Sequence, residues 1–368
     1  MDLSLHICKT YRSEKPKMKR IILSLFCVSM LAISNPLKAQ QDPYTTHYAF
    51  NRMLYNPALA GSGNKFCVSA LSHYQYLGYE DRTLEFHPDA QNPNPTATKS
   101  VGPKTQMFSF SAPVTQYGGL GIGFINDKLG YESSTHMKID AAGIIPLRSG
   151  AKFSVGFEMN MLQKGLNGAK LKPLAPNDPS IPSSNVTATH SIFGAGAYYM
   201  DPMANAISTR NLWVGASVLN LNSPTYTFGN SAMVYHTPVK HIYVMGGIDV
   251  LNFMGKPDLI FHPSVMIKHN TVTQLDLTAL VEYQQKLWGG VAYRTTADAL
   301  SIMMGYSGFR GQLNGLRIGY SYDLTMTRVI TVSSGTHELQ LNYCFEIKIP
   351  TPPKINIVTP PFMHRDSD

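Results

Sequence analysis

The sequence predicts an all-β protein, a transmembrane antiparallel β-barrel of about 14 strands that follows a signal peptide. Two observations carry this prediction. A basic pair and an apolar run open the chain, as in exported proteins. Beyond them, apolar side chains alternate with polar or small ones in segments of about 10–14 residues, which suits strands with one face on lipid and the other on a lumen.

The leader accounts for much of the basic charge. A basic pair precedes the apolar run Ile21–Ile33, and we expect cleavage after Ala39, which gives a signal peptide over residues 1–39. Met18 is a better start than Met1. The run is about half of the ~20 residues that a membrane anchor helix needs. Without the leader, 24 Lys and Arg face 21 Asp and Glu, a net charge of +3 instead of +8. Since no Lys- or Arg-rich patch follows, the sequence does not favour nucleic acid as a partner.

The alternation also predicts which side chains face lipid. In the last segment it places Leu339, Leu341 and Tyr343 on lipid, and Glu338, Gln340 and Asn342 in the lumen. A soluble β-sandwich alternates similarly, but its strands average about 5–6 residues, and here Tyr and Phe recur near segment ends as in an interfacial girdle. The predicted strands begin near Phe66, Lys104, Gly118, Ser134, Ala151, Thr189, Asn211, Lys240, Asp258, Thr273, Leu287, Asp298, Leu313 and Thr336.

The connections between these segments have two lengths. Outer-membrane barrels have short periplasmic turns and longer outer loops, so with a periplasmic N-terminus the long loops follow odd-numbered strands. The gaps at 81–102, 165–188, 223–235 and 325–335 fit this rule. The gap at 201–210 does not, so the strand count could differ by two.

Two cysteines, Cys67 and Cys344, remain after the leader. They lie near the first and last predicted strands, which are neighbours in a closed barrel, so a disulfide in an oxidising periplasm is one alternative. Two unrelated free thiols are the alternative that the sequence favours. No CxxC, His/Cys cluster or HExxH string occurs, so we predict neither a metal site nor a cofactor.

The sequence contains no catalytic constellation. Ser, His and acidic residues do not occur in a nucleophile-elbow context, so no catalytic residue is predicted and the chain is not expected to be an enzyme. The Gly118–Gly123 cluster lacks GxGxxG spacing and is interpreted as small inward residues of a strand. Ionisable residues at other inward positions either line a wet pore or pair and hold the lumen shut. They are Glu158, Asp276, Glu282, Arg294, Arg317, Asp323 and Glu346.

Residues 51–61, Asn-Arg-Met-Leu-Tyr-Asn-Pro-Ala-Leu-Ala-Gly, resemble the opening of PorP/SprF-like proteins of the Bacteroidetes. These proteins are outer-membrane components of type IX secretion and gliding systems. The resemblance covers residues 41–348, and the loop at 80–100 is longer than the family pattern. Further matching strings follow in order at Gly102–Pro113, Gly118–Phe124, Asp127–Gly130, His262–Ser264, Leu287–Arg294, Gly319–Asp323 and Gly335–Leu339.

The resemblance implies a non-enzymatic outer-membrane component of a type IX secretion system, which scaffolds the machinery or supports export and attachment of surface adhesins. Its expected partners are outer-membrane lipid, periplasmic or lipoprotein components of the machinery, and exported adhesin-like substrates. A core machinery component and an adhesin-specific paralogue both stay open. The alternative function is an outer-membrane porin or a substrate-specific channel.

The segment before the predicted barrel, residues 40–65, contains the family motif. Asn56 before Pro57 is held in extended backbone and starts a turn, and Gly61 can supply a positive φ. With Tyr55, this turn would fold the segment into or under the barrel mouth as a plug. The alternative is that the segment only leads into the first strand.

The segment after the predicted barrel, which spans residues 66–349, is a proline-rich tail at 350–368. Its prolines favour extended structure, which a periplasmic partner can bind as a peptide. The apolar Ile355, Ile357 and Phe362 are the candidate anchors. A disordered end is the alternative.

Overall fold

The computed structural model describes residues 43–63, 65–79, 102–171, 182, 184–204, 208–227, 234–236, 238–295, 299–326, 331 and 333–346. The predicted leader and the proline-rich tail lie outside them. Fourteen strands of the described residues form one closed antiparallel barrel, in which each strand pairs with its sequence neighbours and the last pairs with the first. This confirms the predicted fold class and strand count. A separate two-stranded sheet joins Tyr226–Thr227 to Val234–His236.

The barrel strands, numbered β1 to β14, have the following bounds. They are β1 Phe66–Tyr74, β2 Lys104–Thr115, β3 Gly118–Leu129, β4 Glu132–Pro146, β5 Lys152–Asn167, β6 Asn185–Asp201, β7 Thr209–Leu219, β8 His241–Val250, β9 Leu259–His269, β10 Thr273–Tyr283, β11 Leu287–Arg294, β12 Ala299–Tyr306, β13 Leu316–Thr325 and β14 Thr336–Phe345. Every predicted start lies within a few residues of the observed one.

The two faces of the strands differ as the alternation predicts. In β14, Leu339 and Leu341 are 50% and 41% exposed on the outer face, whereas Glu338 and Gln340 are 1% and 2% exposed in the lumen. Outward apolar residues recur in the other strands, as a membrane barrel requires because lipid tails cannot bind polar groups. This confirms the lipid and lumen assignments of these four residues.

The two ends of the barrel differ in their connections. Even-numbered strands lead to the next strand through turns such as 116–117, 147–151 and 284–286, at what we call the turn end. The longest connections, such as 75–103 and 220–240, follow odd-numbered strands at the opposite, loop end. The predicted placement of the longest connections is therefore confirmed.

The hydrophobic core lies inside the lumen. The chain before β1, residues 43–63, is packed there in three 3-10 turns, Tyr48–Phe50, Arg52–Tyr55 and Pro57–Leu59. We call these residues the lumenal segment. Within it Tyr48, Leu54 and Tyr55 form one buried cluster with inward residues of six strands. The other helices are also single 3-10 turns, and among the described residues no helix is long and apolar enough to cross a membrane.

A disulfide joins Cys67 of β1 to Cys344 of β14. The preference for two free thiols is therefore wrong. Sequence distance conceals the pairing, because 277 residues separate the two cysteines. Barrel closure makes them direct cross-strand partners, with Cα atoms 4.1 Å apart. This bond fastens the only seam at which strands distant in sequence meet within the described barrel.

Replacing both cysteines with serine should weaken this seam. We expect the double variant to lose about 2–4 kcal/mol of unfolding free energy, because a cross-link between distant residues restricts the unfolded chain. The measurement is the temperature at which the folded band disappears on a semi-native gel. Wild-type protein in reducing agent should behave as the variant does, and identical melting of oxidised wild type and variant would contradict the expectation.

Candidate functional site

The side chain of Asn56 stabilises the turn that begins at this residue. Asn56 has extended backbone, at φ −149° and ψ 110°, as the following proline requires. Its Oδ1 accepts a hydrogen bond from the Ala58 N–H at 3.0 Å, which caps the turn Pro57–Leu59. Its Nδ2 donates to the carbonyl oxygens of Ala197 in β6 and Ala216 in β7, at 3.0 and 3.3 Å. One amide therefore fastens the segment to two strands.

Inward glycines provide the space for this turn. A Cβ on Gly156 of β5 would overlap the backbone of Pro57 and Ala58, and one on Gly119 of β3 would overlap that of Ala60 and Gly61. Next along β3, the glycines at 121 and 123 face side chains of the lumenal segment in the same way. The glycine cluster of β3 thus faces inward, as interpreted from the sequence, and the segment packs against it.

The turn ends at Gly61, which has a φ of +66° that favours glycine. Its N–H donates to Ser111 Oγ in β2 at 2.9 Å. Nearby, Ser154 Oγ in β5 donates to the Ala58 carbonyl at 2.7 Å. The motif residues Asn56, Pro57 and Gly61 therefore all lie against the inner wall, and the chain leaves the lumen at the turn end where β1 begins.

Tyr55, the first residue of the motif, is held in the middle of the lumen. Its hydroxyl hydrogen bonds with Thr45 at 2.7 Å, and its carbonyl accepts from Ser217 Oγ at 2.5 Å. Its ring lies 5.4 Å from that of Tyr243. Burial raises the pKa of the Tyr55 phenol, so the ring stays neutral inside the apolar cluster.

Glu338 of β14 anchors the opposite end of the lumenal segment. Its carboxylate accepts hydrogen bonds from the backbone N–H groups of Thr46 and His47, at 3.0 and 2.8 Å. It also accepts from the Nδ1 atoms of His47 and His73, at 2.5 and 2.9 Å. All of these groups are buried, where hydrogen bonds to a charged acceptor are strong and a missing partner is costly.

A second polar network lies beside Glu338. Thr46 Oγ1 donates to both oxygens of Asp323, at 3.0 and 3.1 Å. Arg294 lies 3.9 Å from Asp323 and 3.7 Å from Asp276, and Lys268 lies 3.1 Å from Asp276. Lys268 and Arg294 also lie 4.6 and 5.6 Å from the Tyr44 ring, within cation–π range. These buried charges are paired along the inner wall, between strands β9, β10, β11 and β13, as burial requires.

A third buried cluster lies on β4 and β5. Lys138 Nζ donates to the Leu54 carbonyl and to Glu158 Oε2, both at 3.0 Å. Asp140 faces the lumen beside them with no exposed surface. Glu158 thus holds the lysine that binds the middle of the lumenal segment.

A vestibule of about 370 Å³ opens beside the lumenal segment. Its lining residues lie at the turn-end halves of β6 to β11 and β13, so we place it on that side. Arg317 lies 3.4 Å from Glu282, and His262 bridges Glu282 and Asp249 at 3.4 and 2.7 Å. Phe50 also lines the vestibule, and its ring lies 5.1 Å from the Arg317 guanidinium.

Six of the seven ionisable residues that the sequence places in the lumen face it in the structure, in two groups. Glu158, Asp276, Arg294 and Asp323 belong to clusters that bind or surround the lumenal segment. Glu282 and Arg317 line the vestibule. The inward assignment of Glu346 is wrong. It follows the end of β14, where alternation no longer defines a side, and its side chain is 76% exposed and paired with Lys65.

Sequence reasoning missed three functional side chains, His47, His73 and Lys138, and the anchoring role of Glu338. Strand alternation places Glu338 inward, and it could have placed His73 and Lys138 there as well. No local signal shows that the lumenal segment reaches them. The tail candidates Ile355, Ile357 and Phe362 lie outside the described residues, and among the described residues no cluster of three or more His, Cys, Asp or Glu is placed to hold a metal ion.

Solved structures similar to this chain are barrels of low sequence identity. A FadL homologue of Pseudomonas aeruginosa has a TM-score of 0.41 at 12% identity, over 82% of this chain and 94% of that one. CdiB from Acinetobacter baumannii has a TM-score of 0.41 at 6% identity, over 76% of this chain and only 60% of that one. The translocator domain of the autotransporter NalP from Neisseria meningitidis has a TM-score of 0.30 at 10% identity, over 90% and 98%.

The comparison with curated proteins finds no match. The comparison with protein families matches the type IX secretion system membrane protein PorP/SprF over residues 37–343. That range contains the lumenal segment and almost all of the barrel. The chain therefore belongs to the PorP/SprF family of type IX secretion system membrane proteins.

Proposed function

We propose that this protein is a non-enzymatic outer-membrane component of a type IX secretion system. It acts as a sealed barrel that scaffolds the machinery or supports export and attachment of adhesin-like proteins. The observation that carries the proposal is the lumenal segment, which occupies the lumen and is hydrogen bonded to β2, β5, β6, β7 and β14. A barrel filled in this way offers its surfaces to partners and does not serve as an open pore.

The orientation follows from the connections. Short turns face the periplasm in outer-membrane barrels, so the turn end, with the vestibule, is the periplasmic end. β14 also ends at this end of the barrel, which supports our proposal that the tail at 350–368 meets periplasmic and lipoprotein components of the machinery. Cargo and cell-surface contacts belong to the longer connections at the loop end.

The competing function, a porin or substrate-specific channel, requires a conducting lumen. We expect wild-type protein in planar bilayers to show little steady conductance. Gly156→Leu should raise the conductance, because its side chain would occupy the space of Pro57 and Ala58 and displace the segment. Gly143→Leu is the matched control, since Gly143 lies on the lipid-facing side of β4 with open space around its Cα.

Large, reproducible open-channel currents from the wild type would favour the porin. If Gly156→Leu folds to a heat-modifiable barrel and stays as closed as Gly143→Leu, the lumenal segment is not the seal. In that case the proposal loses the observation that carries it.

The tail offers a test of the partner side of the proposal. Changing Ile355, Ile357 and Phe362 to Asp should leave the barrel heat-modifiable, yet reduce co-purification of the periplasmic partner and secretion of type IX cargo. Extended peptides bind through alternate side chains, so these apolar anchors matter more than the charge of the tail.

The control for this tail variant adds the same charge elsewhere. Asp at Thr351, Asn356 and Thr359 keeps every apolar anchor and should retain the partner. Should the anchor variant secrete cargo normally and keep every partner, the tail has no role in binding.

A further inference from the structure

The wall of the barrel is irregular around β8, beside the vestibule. β8 has a bulge between Gly247 and Asp249 where it pairs with β7. On its other side, the pairing with β9 is interrupted between Gly247↔Ser264 and Val250↔Phe261. Pro263 lies in this gap and has no N–H to donate to a neighbouring strand. The strand pairing of the wall is therefore interrupted at the level of the vestibule, on both edges of β8.

An apolar groove of about 490 Å³ lies on the outer face at the same place. Val214, Val291 and Tyr293 are exposed on this face, at 49%, 48% and 44%. Gly246 lies between them on β8. A Cβ there would contact only Val214 and the Trp213 carbonyl and would otherwise project into the groove, so the glycine leaves the groove deep. In a membrane this groove faces hydrocarbon, so an acyl chain fits it.

The groove and the vestibule share part of their lining. Trp213, Ile248, Pro263 and Ser264 line both spaces. One layer of side chains, at the point where the pairing of β8 with β9 is interrupted, therefore separates a lipid-facing apolar site from an aqueous charged one.

The vestibule has an excess of positive charge. Three arginines, Arg52, Arg210 and Arg317, face two carboxylates there. Asp249 and Glu282 are engaged by His262, Arg210 and Arg317. Among the described residues, Arg52 has no carboxylate within ion-pair distance.

Aromatic side chains hold Arg52 in place. Its guanidinium lies 4.2 Å from the Trp213 ring centroid, and Nη1 donates to the Tyr198 hydroxyl at 3.1 Å. An arginine fixed in this way can bind an oxyanion with little loss of side-chain entropy.

We infer that this patch binds a lipid with an anionic headgroup. The acidic head enters the gap beside β8 and binds Arg52 in the vestibule, and an acyl chain lies in the groove over Gly246. The positive charge of the vestibule favours an anionic headgroup, and the apolar groove favours an acyl chain. The inference requires only that the barrel stands in a membrane, so it goes beyond the secretion role and does not depend on it.

Native mass spectrometry of the full chain in detergent tests this inference. The probes are phosphatidylglycerol and phosphatidylethanolamine with the same acyl chains, and inorganic phosphate. We expect phosphatidylglycerol to be retained about tenfold better than phosphatidylethanolamine, as a charge-assisted hydrogen bond would give. We expect no measurable competition from inorganic phosphate, because it lacks the chain.

Two variants separate the head from the chain. Arg52→Gln should abolish the preference for the anionic lipid, while Arg310→Gln, which removes an exposed charge at the same end of the barrel, should keep it. Gly246→Leu should fill the groove and weaken retention of both lipids several-fold. The lipid-facing Gly143→Leu should not.

Semi-native gels report whether each variant is folded. Equal retention of the two lipids by the wild type would overturn the inference, as would an unchanged preference in folded Arg52→Gln. Displacement of the lipid by inorganic phosphate at similar concentration would overturn it too, by showing a site for free anions. Wild-type conductance and secretion do not enter this test, so its failure leaves the proposed function unaffected.

Discussion

Replacing Glu338 with alanine should detach one end of the lumenal segment and lower the free energy of unfolding by about 3–5 kcal/mol. The carboxylate is the common acceptor for the backbone of Thr46 and His47 and for the rings of His47 and His73. Its removal leaves these buried donors without their acceptor, a cost far larger than the loss of one surface hydrogen bond.

Equilibrium unfolding in urea, followed by gel mobility, measures this loss. Gln340→Ala is the matched control, because Gln340 is the next inward residue of β14, is equally buried and makes one hydrogen bond of 3.4 Å to Ser69. Glu338→Gln should fall between the two, since it keeps the shape and one acceptor oxygen. Equal losses for Glu338→Ala and Gln340→Ala would show that Glu338 is not a special anchor.

Lysine at Leu341 should cost about 2–4 kcal/mol, and lysine at the next residue, Asn342, much less. Leu341 is 41% exposed on the outer face, so a charge there enters hydrocarbon. Asn342 lies on the lumen side, where its Nδ2 donates to the Phe50 carbonyl at 3.4 Å, and water and carbonyl oxygens can solvate an ammonium group.

Folding into liposomes at graded urea concentrations compares the two variants. Asn342 is the cross-strand partner of Arg317 in β13, so we expect some repulsion between Arg317 and the lysine of Asn342→Lys. Glutamine at both positions removes that repulsion and should keep the order of the two losses. Equal damage from the two lysine variants would contradict the assignment of faces.

The barrel was predictable because its signal is local and repeated. Each strand has one face on lipid and the other on the lumen, so the alternation of apolar and polar neighbours is enough to assign Leu339 to lipid and Glu338 to the lumen. The same rule fails at Glu346, one residue after β14, because the alternation in the sequence continues after the hydrogen-bonded strand has ended.

The contacts of the lumenal segment were less predictable because they join residues far apart in sequence. The Asn-Pro string indicates a turn at Asn56, but not its hydrogen bonds to Ala197 and Ala216. The alternation predicts that Glu338 faces the lumen, but it does not identify its partner His47, which lies 291 residues away. The disulfide has the same origin, since only the β1–β14 register makes Cys67 face Cys344.

The position of the lumenal segment constrains the order of assembly. It precedes β1, yet its anchor Glu338 belongs to β14, so the first part of the described chain is bound by the last strand of the barrel. A barrel that closed before the segment was inside would have to admit it past the paired charges of the lumen. Closure and sealing therefore belong to one cooperative step, and an incomplete barrel exposes its own N-terminal segment.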